Sequence, residues 1–235
     1  MSQLTFALIS HGSTANTTAL VIPTSILSAN AVGVLVLHQR ALTAQSPIFP
    51  TSVTGTGYTF VSSASSIYDD GGATRGRIDG WRTMASTDTG SVVTVDYGSS
   101  VISGLLWTWA QISGVSTAGS NGASALSQSA ITGGVGGSAI TMTLAQSFAS
   151  TGNGAFFVVG HDSSSNSIHP GAPPNALRLS YITGTTGNLQ LASFYTTLNL
   201  SASTATCTTS AQYAAFVAEV VLDNPAVTAS AASTF

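Results

Sequence analysis

The sequence predicts an all-β fold: an antiparallel β-sandwich, with jelly-roll or immunoglobulin-like wiring, built from about twelve short strands. Three observations carry that expectation. Helical periodicity is nearly absent, and Ser, Thr and Gly are dense throughout, which disfavours helix interiors. Short β-branched or aromatic runs recur, separated by Gly/Ser/Asn clusters. Several of those runs alternate apolar and polar side chains, the period of a strand with one buried face.

Taken in order, residues 4–10 and 19–22 are apolar runs bounded by turn-forming residues. Residues 32–40 contain Gly33-Val-Leu-Val-Leu37, continuous and apolar, as expected of a central strand covered on both faces. Residues 58–61 pair two aromatics with β-branched neighbours, and 77–84 carry Trp81 among charges. Residues 92–97 include Val93-Thr-Val-Asp-Tyr97, in which the apolar side chains share a face. Residues 105–112 place Leu105, Trp107 and Trp109 on one side, as core anchors or as an exposed aromatic platform, with core the default. Residues 140–148 open with Ile140-Thr-Met-Thr-Leu144, again alternating. The series closes with 155–160, 177–182, 189–200 and 213–222, all rich in Val, Phe, Tyr or Leu.

Between these runs, residues 113–138 are low in complexity and end in Gly-Gly-Val-Gly-Gly; they read as a long surface loop, with 125–131 available for a short element. Gly134-Val-Gly-Gly-Ser-Ala139 formally matches a dinucleotide-binding pattern but does not lie between a strand and a helix, so it reads as a flexible hinge. A second loop, 161–174, holds Pro170, Pro173 and Pro174. Residues 1–223 are expected to form a single domain, and 224–235, with Pro225, small side chains and Phe235, a C-terminal arm. No fixed-period repeat is present.

Composition narrows the function classes. Charged residues make up 6% of the 235-residue chain, which has no lysine and only Arg40, Arg75, Arg77, Arg82 and Arg178 as fixed cations. Counterion release on nucleic acid would therefore be small, and no nucleic-acid partner is expected. The chain is 43% hydrophobic, which excludes disorder. Its longest apolar stretch, 31–37, is far short of the roughly 20 residues of a membrane helix, and the aromatic girdles of an outer-membrane barrel are not evident. The Met-Ser-Gln-Leu-Thr start lacks a basic segment, so no signal peptide is expected. Cys207 is the single cysteine and reads as a small core residue. A surface of Ser, Thr, Gly, Ala and Asn carries little repulsion, which suits a subunit packed against neighbours.

The charges that exist are clustered. Asp69, Asp70, Asp79, Asp88 and Asp96 lie with Arg75, Arg77 and Arg82 between positions 69 and 96. On a strand, Arg75, Arg77 and Asp79 share a face. The cluster reads as a local salt-bridged hairpin, an intersubunit contact or a ligand site, and Asp69, Asp70, Arg75, Arg77 and Arg82 are the interface candidates, together with Pro225 and Phe235 of the arm. Tyr68-Asp69-Asp70-Gly71-Gly72 lacks the spacing of an EF-hand loop. His161, Asp162 and His169 share one loop and are metal-capable residue types, but polar loops often contain them without that role. No Gly-x-Ser-x-Gly elbow is present, and Glu219, the single glutamate, sits inside an apolar run. No catalytic, metal or cofactor residue is therefore assigned, and no enzymatic activity is expected.

Four segments taken together carry a resemblance. They are Pro47…Pro50-Thr-Ser-Val-Thr-Gly-Thr-Gly-Tyr-Thr-Phe60, the Arg-containing strand ending Asp79-Gly-Trp-Arg82, Gly90-Ser-Val-Val-Thr-Val95, and Ser103-Gly-Leu-Leu-Trp-Thr-Trp-Ala-Gln-Ile-Ser-Gly-Val115. Over Pro47 to Val115, and by composition elsewhere, the chain is similar to the β-sandwich modules of tailed-bacteriophage structural proteins, of head-decoration (cement) or tail and fibre type. The resemblance implies a virion structural protein, assembled in the host cytoplasm, that binds the major capsid protein or other virion proteins and forms a homo-oligomer such as a trimer. It carries over no catalytic residue. Its alternative is a tail-fibre or adhesin-type module that binds carbohydrate or a host surface through Trp81, Trp107, Trp109 or tyrosines.

Overall fold

A computed structural model describes residues 3–42, 48–69, 74–148, 150, 152–162, 168–169, 176–184, 189–197 and 202–223. Every strand pairing among them is antiparallel. The strands are β1 (Thr5–Thr14), β2 (Ala19–Leu27), β3 (Val32–Leu42), β4 (Ser52–Gly55), β5 (Tyr58–Thr59), β6 (Val61–Asp69), β7 (Thr74–Met84) and β8 (Thr89–Asp96). They continue with β9 (Gly104–Ser113), β10 (Leu126–Thr143), β11 (Gly154–Asp162), β12 (Ile168–His169), β13 (Leu177–Thr183), β14 (Leu189–Thr196) and β15 (Ala202–Val220).

The strands form three sheets: a central one of order β1-β9-β3-β7-β6, a second of order β10-β15-β11-β14-β13 with β12 beside β15, and a small third of order β2-β8-β4-β5. The sequence explains why the first is central. In β3, Val32, Val34 and Val36 pack with Phe156, Val158, Leu191 and Phe216 of the second sheet. The alternate residues Leu35 and Leu37 pack with Leu20, Ile22, Val93, Val95 and Tyr97 of the third. A strand buried on both faces has to be apolar at every position, and Gly33-Val-Leu-Val-Leu37 meets that condition. Leu105 and Trp109 of β9 fall on the same face as Leu35, as their spacing predicts, and both are fully buried.

The long-loop expectation for 113–138 is corrected: residues 126–138 belong to β10, and only 114–125 connect β9 to it. The ladder β10–β15 is too long to lie flat. Its ends pair Leu126 with Val220 and Thr143 with Ala202, while Gly154 of β11 returns to Val220. A straight 19-residue strand would span roughly 60 Å. The connection 144–153 can cover at most about 35–40 Å, so the ladder folds back on itself. The bend falls at the glycines, where the register shifts between Gly134 and Gly137 and again between Gly137 and Ala139. The segment read as a hinge is thus a bulged bend within a strand. Past it, Ile140, Met142, Leu144 and Phe148 cover Phe157, Val159, Phe194 and Val217 on the outer face of the second sheet. Two hydrogen bonds fix the return: Gln128 Nε2 donates to the Gln146 carbonyl and the Gln146 N–H to Gln128 Oε1, both at 3.1 Å.

Glycines in the central sheet make room for aromatic rings. A methyl on Gly33 would lie 2.2 Å from the Trp109 ring, and one on Gly12 2.5 Å from Trp107. Across the layers, a methyl on Gly80 would lie 2.8 Å from Phe216.

Candidate functional site

The buried chemistry-bearing side chains that the structure describes include three clusters; His11, Asp88 and Arg178 stand exposed outside them. The first is on β7, where Arg77 and Asp79 share a face as predicted. Arg77 Nε donates to both Asp79 oxygens, at 2.8 and 2.9 Å. Asp79 is fully buried, and Gln39 beside it on β3 donates through Nε2 to the Ile48 carbonyl at 2.7 Å. The Arg77 guanidinium lies 4.7 Å from the centre of the Phe49 ring, which in turn leans on Trp81 at 5.2 Å. Tyr97 faces the same cluster. Burial raises its phenol well above the ordinary value, the Asp79 carboxylate adds to the rise, and Arg77 opposes it. Of the three readings of the charge cluster, the local salt-bridged one describes Arg77 and Asp79.

The remaining members do not converge there. Arg82 lies on the opposite face of β7, paired in register with Val34 and Val61. Only the backbones of Asp69 and Arg75 are described, and these two are opposite one another across β6 and β7. Asp70, Pro225 and Phe235 lie outside the described residues.

The second cluster joins the central sheet to the second. His38 of β3 is buried with its ring over Gly160 of β11, so close that a methyl on Gly160 would lie 2.6 Å from it. A ring N–H of His38 is hydrogen-bonded to the Gln190 backbone. Burial first, and nearby His161 second, lower the His38 pKa to about 3, with the Gln190 bond opposing. His161 points to the other face of the second sheet, where burial lowers its pKa to about 4. Arg40 Nε approaches Asp162 Oδ2 at 3.2 Å, a bridge from β3 to β11. Nearby between the same sheets, the hydroxyls of Thr108, Ser180 and Ser193 bond to one another, with Ser180 and Ser193 2.6 Å apart. The β12 backbone of His169 pairs with Thr206, and its side chain lies outside the described residues. Among the described residues no three metal-capable side chains converge.

The third cluster is one that sequence reasoning missed. Glu219 is buried on β15 and accepts from Asn153 Nδ2 at 2.6 Å, Ser127 Oγ at 2.7 Å and Gln128 Nε2 at 2.8 Å. Asn153 Oδ1 also accepts from the Leu222 N–H at 3.1 Å. The carboxylate therefore ties together β10, the entry to β11 and the end of β15. The available signal was a lone acid within an apolar run, since such a group is stable only when fully hydrogen-bonded.

The tryptophans do not form a platform. Trp109 is 0% exposed and Trp81 8%, while Trp107 is half-buried against Gly12. One uncharged, β-branched set stands on the surface: Val21, Ile26 and Val92 lie on the outer face of the third sheet, each about half exposed.

Fold and clusters together define a layered, antiparallel all-β protein in which Arg40–Asp162 and His38 join the central sheet to the second, the Arg77–Asp79 pair lies within β7, and Glu219 holds strands of the second sheet together. No protein-family model, curated protein or solved structure matches the chain.

Proposed function

We propose that this chain is a virion structural protein, a head-decoration (cement) subunit that stabilises a particle through non-covalent contacts with the major capsid protein or other virion proteins, without catalytic activity. The observation that carries the structural half of this reading is where the charge goes. Asp79, Glu219, Arg77 and the Arg40–Asp162 bridge are held in pairs and hydrogen bonds within the fold, while Val21, Ile26 and Val92 stand exposed on a sheet face. Such a face associates by shape and apolar burial, at roughly 25 cal/mol per Å² removed from water. A standard interface of about 1,600 Å² would serve each contact, and many copies on one lattice would multiply modest affinities. The particle half rests on the resemblance of residues 47–115 to tailed-phage modules. Self-association into a trimer belongs to the same proposal.

The test is the copy number of the chain in purified particles from its source, by quantitative mass spectrometry. One copy per major capsid subunit, or one per three, is the expected result. A few copies per particle would place the chain in the tail or a fibre instead, and absence from particles would overturn the proposal.

A further inference from the structure

A groove of about 360 Å³ opens between the edges of the central and second sheets. One wall is Gln3, Leu4 and Phe6, at the start of β1; the other is Leu177, Tyr195 and Thr196 on β13 and β14. Leu4 and Phe6 are nearly buried, and Phe6 stacks on Tyr195 with ring centres 4.5 Å apart. Leu177 at the rim is 57% exposed. Among the described residues, no charged side chain lines the groove. Among the described residues β1 pairs with β9 alone and β13 with β14 alone, so Gln3 to Phe6 and Leu177 lie at sheet edges, which proteins ordinarily cover, while Tyr195 and Thr196 belong to the interior strand β14.

The described chain ends beside this groove. Val115 bridges to Leu222, and the Asp223 N–H donates to the Gly114 carbonyl at 2.8 Å. Gly114 in turn lies against Gln3: a methyl on it would sit 2.2 Å from the Gln3 carbonyl oxygen. The path from Asp223 to the first residue of the groove therefore crosses one glycine.

We propose that this groove seats the chain's own residues 224–235. Twelve extended residues reach about 40 Å, whereas the wall from Gln3 to Phe6 is only about 13 Å long. The chemistry matches as well. Asn-Pro-Ala-Val-Thr-Ala-Ser-Ala-Ala-Ser-Thr-Phe carries no charged side chain, and its bulkier members, Pro225, Val227 and Phe235, are apolar, as are Leu4, Phe6, Tyr195 and Leu177. Attachment at Asp223 gives the segment an effective concentration on the order of millimolar, so a weak seat is filled from within the molecule before it is filled by another. This inference stands independently of the particle assignment, and its test requires no particle.

Hydrogen exchange in the full chain is compared with that of a chain ending at Asp223, with amides of β3 and β11 as the control for folding. Amides at residues 3–6, 177 and 195–197 are expected to exchange about tenfold more slowly in the full chain, equally at high and at hundredfold lower protein concentration. Equal exchange in the two chains would overturn the proposal. Protection that fades on dilution would also overturn it, by assigning the seat to a second copy. Leu177→Asp in the full chain gives a second readout that does not depend on the truncated form folding. It is expected to speed proteolysis within 224–235 by about fivefold, and unchanged cleavage would count against the seat.

Discussion

Acidification is expected to destabilise this protein through His38, and the size of the effect follows from where the ring sits. His38 is fully buried, and its pKa falls from an ordinary 6.5 to about 3 in the folded chain. The groups that act on it are His161 on β11 and the Gln190 backbone on β14. Between pH 6.5 and 3 the unfolded chain binds a proton at this position that the folded chain refuses. Stability therefore rises with pH across that window: the contribution is present above about 6.5 and is lost progressively as the pH falls. From pH 7 to pH 5 the loss is about 2 kcal/mol, because 1.5 units of unfolded-state protonation at 1.36 kcal/mol each have no folded counterpart. Below pH 3 the full difference is about 5 kcal/mol. Urea unfolding of the natural chain and of His38→Gln, each at pH 7 and pH 5, separates this contribution from that of the carboxylates. Glutamine keeps an N–H for the Gln190 bond but does not titrate, so the variant is expected to lose about 2 kcal/mol less between the two pH values. Equal losses in both proteins would refute the reasoning, and a larger loss in the variant would reverse its sign.

Other perturbations act on packing. Gly33→Ala places a methyl 2.2 Å from a fully buried Trp109 and is expected to cost about 3 kcal/mol, read as a lower urea midpoint at unchanged slope. Glu219→Ala leaves Asn153, Ser127 and Gln128 without their shared acceptor inside the fold. A loss of roughly 3 kcal/mol is expected in the same assay, with hydrogen exchange rising first at Leu222 and the start of β11. Acrylamide should quench the native tryptophan emission weakly, since Trp109 and Trp81 are buried, and quenching like that of free tryptophan would contradict the packing of the third sheet.

Much of the fold was legible because strand signals are local. β3, β8 and β9 follow directly from side-chain period: one continuous apolar run, one alternating run, and one that aligns Leu105, Trp107 and Trp109. The pairing of Arg77 with Asp79 was legible for the same reason, since two residues apart on a strand is one face. The first half of β10 was not, because Gly-Gly-Val-Gly-Gly carries almost no side-chain pattern and is stable as a strand only where β15 supplies a ladder for it. Residues 202–212 are likewise Ser, Thr and Ala apart from Cys207 and Gln212, and their strand character comes from pairing across about 60 or more positions of chain.

The sequence by itself determined an all-β chain, the face each strong strand buries, and a surface with little charge, because period, propensity and composition belong to each segment alone. Only the tertiary structure decided that three sheets stack with β3 in the middle and that the β10–β15 ladder folds back at its glycines. It also decided that Glu219, His38 and Asp79 are held inside the fold. Those outcomes depend on which strands meet. Strand pairing is fixed by loop closure and layer packing summed over the whole chain, and no single segment encodes that sum.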